Sequence, residues 1–145
     1  MKTKLAVVAL LALAPWFSYA ANKGAEPVLH EVVDHLAPSN TLNVLTFSAP
    51  RATTVRELGL EDIGLTAGPL LVKADEIRIF ANRDAINASP KARLWLNSLK
   101  GNRWWYQTGG EGAADEHVIQ PGEMVIVITR ATTREIAWTN VFRGE

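Results

Sequence analysis

Ala92-Arg93-Leu94-Trp95-Leu96, Leu99-Lys100-Gly101-Asn102 and Arg103-Trp104-Trp105-Tyr106-Gln107 together decide the fold. In the first run Leu94 and Leu96 alternate with Arg93 and Trp95, the period of a half-buried strand. The middle run is a turn, and the third returns as a second strand, so the whole predicts a β-hairpin. Alternation places Trp104 and Tyr106 on one face, with Arg103, Trp105 and Gln107 on the other.

Short β-like runs continue on both sides. Downstream, Thr108 to Glu116 is a glycine-rich loop and His117 to Ile119 a short strand. Pro121-Gly122 is a type II turn signature, because Pro fixes φ and Gly accepts a positive φ. Met124 to Ile128 is an unbroken apolar run, as expected of a strand buried on both faces. Ala131 to Arg134 turns, and Glu135 to Asn140 is expected to close the sheet. Upstream, Glu76 to Phe80 and Leu70 to Val72 read as strands, Asn82 to Pro90 as a polar loop, and Gly68-Pro69 as a turn. Thr54-Val55-Arg56-Glu57 is a capping-box pattern that predicts one short helix, limited by Gly59 and Gly64. Leu42 to Phe47 reads as a strand ended by Ser48-Ala49-Pro50. Val28, Leu29, Val32, Val33 and Leu36 fit helical spacing, but the Ala37-Pro38-Ser39-Asn40 turn favours a strand that forms one arm of a hairpin. The expected fold is mainly β: a small antiparallel β-sandwich or barrel with one short helix.

The 145 residues carry 48% apolar and 21% charged side chains, which fits one globular domain. Zero cysteines exclude disulfides, iron–sulfur clusters, thiol nucleophiles and Cys-based zinc sites. Lys2 and Lys4 precede an apolar core from Leu5 to Ala14, and Ser18 and Ala20 supply small residues at −3 and −1. This predicts a signal peptide over 1–20 and a single domain over 21–145, located in the periplasm or outside the cell. The apolar core is half the length of a membrane span. No cysteine follows it for lipid attachment, and Thr139 to Glu145 has no hydrophobic tail, so no membrane anchor is expected after cleavage. Losing Lys2 and Lys4 leaves 13 basic against 15 acidic residues, a net charge of −2. Scattered basic residues in a net-acidic chain argue against nucleic acid.

Ala74-Asp75-Glu76-Ile77-Arg78-Ile79-Phe80, the Trp-bearing hairpin and Val118-Ile119-Gln120-Pro121-Gly122-Glu123-Met124-Val125-Ile126-Val127 occur in that order, with Arg130 close behind. This order resembles an uncharacterised family of exported, β-rich bacterial proteins, as does Leu36-Ala37-Pro38-Ser39-Asn40-Thr41-Leu42, which matches the turn of the family's N-terminal hairpin. The resemblance covers about two-thirds of the chain. It implies an envelope location and a β fold, and carries no activity; Thr53 to Gly68 replaces a longer middle region of the family.

Catalytic patterns are weak. His30-Glu31-Val32-Val33-Asp34-His35 spaces its histidines five apart, whereas a zinc helix needs four. A set of His30, Asp34 and His117 has nothing to bring it together, so no metal is expected. Glu61-Asp62, Asp75-Glu76 and Asp115-Glu116 read as solvated turn and cap residues. No Gly-x-Ser-x-Gly elbow is present, and Gly109-Gly110-Glu111-Gly112 is neither a phosphate loop nor a dinucleotide fingerprint. Asn87-Ala88-Ser89 has the form of a glycosylation sequon, set aside because Pro90 follows it and the resemblance implies a bacterial chain.

The informative cluster is aromatic. Trp95, Arg103, Trp105 and Gln107 form the candidate ligand surface, an indole beside polar groups being suited to stacking on a sugar ring or anchoring a protein. The competing expectation is that these rings fill the core. The sequence predicts a non-catalytic structural or binding module of the cell envelope, with no cofactor, whose partner is a polysaccharide or another envelope protein. The alternatives are a carbohydrate-binding module using exposed tryptophans and a small periplasmic hydrolase.

Overall fold

A computed structural model describes residues 29–45 and 51–143. The predicted signal peptide and the end of the Leu42–Phe47 run lie outside the described residues. The hairpin that decides the fold is present: β5 (Ala92–Asn97) pairs antiparallel with β6 (Arg103–Thr108), with Trp95 opposite Trp105 and Leu96 opposite Trp104. The remaining strands are β1 (Leu29–Leu36), β2 (Thr41–Val44), β3 (Thr53–Thr54), β4 (Glu76–Phe80), β7 (Val118–Ile119), β8 (Met124–Thr129) and β9 (Ile136–Arg143). Five of them form one antiparallel sheet in the order β2-β8-β4-β5-β6.

Alternation sorts this sheet into two faces. Ile77, Ile79, Ala92, Leu94, Leu96, Trp104, Val125 and Val127 point inward. They meet Leu36, Ile136 and Trp138 from a separate β1–β9 ribbon, and Val55, Leu58, Leu60 and Leu65 from the segment after β3. This is a small two-layer sandwich, and among the described residues no strand pairing closes it into a barrel. All six residues of β8 are buried, as its unbroken apolar run requires. Its second face packs Met124, Ile126 and Ile128 with Phe80.

Three expectations are corrected. The turn after Leu36 exists, with Ser39 and Asn40 both at φ 58°, but its two arms do not pair as a hairpin. β1 instead pairs with β9, and β2 with β8, so two consecutive strands run along two others and bend together from one layer into the next. Asn43 fixes the bend: its Oδ1 accepts from Ala37 N at 2.7 Å, and its Nδ2 donates to Ala37 O and Thr129 Oγ1. Accordingly β9 does not close the five-stranded sheet. Leu70 to Val72 is not a strand either. Leu71–Lys73 is a 3-10 turn with Val72 exposed, and it crowds Gly68 so closely that a Cβ there would lie 2.1 Å from Lys73 O.

The capping box forms as the sequence predicts. Glu57 Oε2 accepts from Thr54 N at 2.7 Å, and Thr54 Oγ1 accepts from Glu57 N at 3.3 Å. The helix it starts is one 3-10 turn, Arg56–Leu58, because Gly59 enters the left-handed region at φ 60°. Among the described residues this turn and three more of its kind are the only helical elements.

Candidate functional site

The outward face of the five-stranded sheet is where the candidate residues lie. Cross-strand partners share a face, so the pairings Leu42–Ile128, Ile128–Glu76, Glu76–Trp95 and Trp95–Trp105 make one row across all five strands. The apolar end of the face is partly covered. Asn82 caps the 3-10 turn Arg83–Asn87, its Oδ1 accepting from Ala85 N at 3.0 Å, and Ala85 packs on the Phe80 cluster. Trp95 and Trp105, at the other end, are half-buried.

Of the four candidate residues, Trp95 and Trp105 are therefore neighbours. Lys100 places its ammonium 5.1 Å from the Trp105 ring centroid, within cation–π range. Gln107 is exposed and sits at a β-bulge, since Thr108 is opposite Arg93 and Tyr106 opposite Leu94. Arg103 is exposed and is engaged by an acid: its Nε donates to Asp115 Oδ2 at 2.6 Å. Asp115 also accepts from Trp104 N at 3.3 Å, pinning the loop after β6 along the strand's outer edge. The other described tryptophans are core: Trp104 Nε1 donates to Glu61 Oε2 at 3.0 Å and Trp138 Nε1 to Leu58 O at 2.7 Å. The aromatic cluster thus divides between interior and surface.

Beside Trp95 lies a group that the spacing of acids alone does not reveal. Glu76 is fully buried. Its Oε1 accepts from Arg78 Nε at 2.7 Å and Arg93 Nε at 2.8 Å, while Oε2 accepts from Arg130 Nη2 at 2.7 Å and Nε at 3.2 Å. Burial alone pushes this carboxyl up, but the hydrogen bonds from Arg93, Arg78 and Arg130 outweigh it and hold the group at about 2. The signal was available in the alternation: Glu76-Ile77-Arg78-Ile79 and Arg93-Leu94-Trp95 put charged residues and an indole on the face opposite the aliphatic core.

Of the acidic pairs, Glu61-Asp62 lies in a turn with Asp62 exposed, as expected, but Asp75, Glu76 and Asp115 are not solvated. Asp75 faces the other way from Glu76 and is fully buried. It accepts from Thr66 N at 2.7 Å, Ala131 N at 2.9 Å and Thr132 Oγ1 at 2.5 Å, tying two loops together. Asp115 is buried too, and only its neighbour Glu116 is exposed, paired with Arg56 at 2.9 Å. The histidines are dispersed. His35 meets Glu135 at 3.0 Å on the surface, and His117 Nδ1 lies 2.7 Å from Tyr106 Oη. The side chain of His30 lies outside the described residues. Among the described residues no three histidine or acidic groups converge to hold a metal ion.

Compared with known proteins, the chain matches no family model, no curated protein and no solved structure.

Proposed function

We propose that this protein is an exported, non-catalytic binding module of the cell envelope that holds a glycan against Trp95 and Trp105. The observation that carries the reading is the division of the indoles. Trp104 and Trp138 are fully buried with their N–H groups satisfied, whereas Trp95 and Trp105 stand side by side, half-buried, on the outward sheet face. Flat apolar rings on a rigid sheet suit the C–H face of a sugar, and their fixed position lowers the entropy lost on binding. Export is supported by the basic start, short apolar core and small residues at Ser18 and Ala20.

Titration of the purified protein with envelope and plant polysaccharides, read by tryptophan fluorescence, tests this. A saturable shift that Trp105→Ala abolishes, with the far-UV spectrum unchanged, is the expected result. A shift that persists undiminished in Trp105→Ala places binding elsewhere and rejects the reading.

A further inference from the structure

The row that carries the indole pair continues into three guanidinium groups gathered on one carboxylate. Three positive charges share the single negative charge of Glu76, so the cluster is left at +2. Arg78 and Arg93 each use only Nε on Glu76. A guanidinium has five N–H donors in a fork, so the Nη groups of both remain unused by that carboxylate. The side chains of Arg78, Arg93 and Arg130 are 28%, 27% and 26% exposed, so solvent and solutes reach them. Arg78 and Arg93 are directly opposite in the ladder, two residues along from Glu76 and Trp95 and so on the same face. Crowded like charges with spare donors favour a second anion, and a carboxylate matches the guanidinium fork.

Strands lie about 4.8 Å apart, so the Trp105–Trp95–Glu76 row spans about 10 Å. A ligand that stacks a ring on an indole therefore has an anionic substituent within reach of the forks. Nucleic acid offers rings and anions as well, but it needs an extended basic track. Here the same row continues into Ile128 and the exposed Leu42 instead of further cations.

We propose that the glycan bound at this face is acidic, a chain of uronic acid residues whose rings lie on Trp105 and Trp95 and whose carboxylates pair with Arg78, Arg93 and Arg130. This rests on the glycan-binding reading and adds the charge to it.

The test uses one polymer in two forms, polygalacturonate and its methyl ester, titrated against the purified protein. The acid form is expected to bind at least about tenfold more tightly, a difference near 1.4 kcal/mol, and to weaken as sodium chloride is raised. Arg78→Gln with Arg93→Gln should remove the preference while leaving Arg130 on Glu76. The esterified polymer keeps the test valid if that double variant does not fold. Equal binding of both forms overturns the charge inference and leaves the glycan-binding reading standing. Binding of neither polymer, together with no shift by neutral glycans, overturns both. Tighter binding of single-stranded DNA than of polygalacturonate overturns the choice of a polysaccharide.

Discussion

Glu76 on β4 and Trp95 on β5 face each other directly across the sheet, so a fully buried carboxylate borders a half-exposed indole. The arginines that hold the carboxylate also form the charged margin of the aromatic surface.

Glu76→Gln leaves three guanidiniums without their counter-charge. Removing one partner of a buried ionic cluster costs about 3–5 kcal/mol, read as a lower urea midpoint at pH 7. The wild-type protein should also lose stability in acid. The carboxyl is held at about 2 in the fold against an ordinary value of 4.5. Its contribution, about 3 kcal/mol by linkage, is therefore complete above pH 5 and lost as pH falls towards 2. A glutamine variant whose acid limb matches the wild type would show that the arginines do not hold this charge.

The buried and surface indoles should separate by acrylamide quenching. Trp104 and Trp138 are fully buried and should contribute the protected emission. Replacing Trp105 with Phe should remove quenchable signal, and replacing Trp104 with Phe should remove protected signal. Equal losses of both components in the two variants would contradict the assignment of faces.

Gly109 takes φ 89°, and a Cβ there would lie 2.3 Å from Lys91 O and 2.7 Å from Ala92 Cα. Both are backbone atoms that cannot move aside, so Gly109→Ala should cost about 2–3 kcal/mol in thermal or urea unfolding. Gly112 has φ 77° and open space around it. Its alanine variant should show only the conformational cost, about 1 kcal/mol.

His117 is pulled below its ordinary 6.5, chiefly by burial and further by Lys91, with Glu123 opposing. Protonation is thus disfavoured in the fold, and the contribution of the neutral ring is complete above pH 6.5. It is lost as pH falls through the lowered value. An NMR titration of the ring should give a midpoint below 6.5. Tyr106→Phe, which removes the 2.7 Å contact with Nδ1, should cost about 1 kcal/mol at neutral pH.

How far the sequence disclosed this molecule can be followed through particular residues. The Trp95–Trp105 hairpin and β8 were legible because strict alternation and an unbroken apolar run are local signals, and burial enforces both. The bend at Ser39-Asn40 was legible as a turn, but its partners were not. Leu36 finds Ile136 and Leu42 finds Ile128, and nothing within a turn names a strand that far along the chain. The burial of Asp75 and Asp115 is not legible in the sequence, because adjacency says nothing about the backbone N–H groups that converge on them. Trp95, Trp105, Gln107 and Arg103 all reach the surface, Arg103 with its Nε engaged by Asp115. Arg78, Arg93 and Arg130 were hidden because they come from three strands, and only the assembled ladder joins them.

The doubled ribbon has a consequence for how the chain matures. Among the described residues β1 pairs with β9 and β2 with β8, so the sandwich gains little from its opening strands until the closing ones arrive. Such distant pairings make the search for the native state slow. A nascent chain with this wiring stays pliable over its opening strands until β8 and β9 have been made.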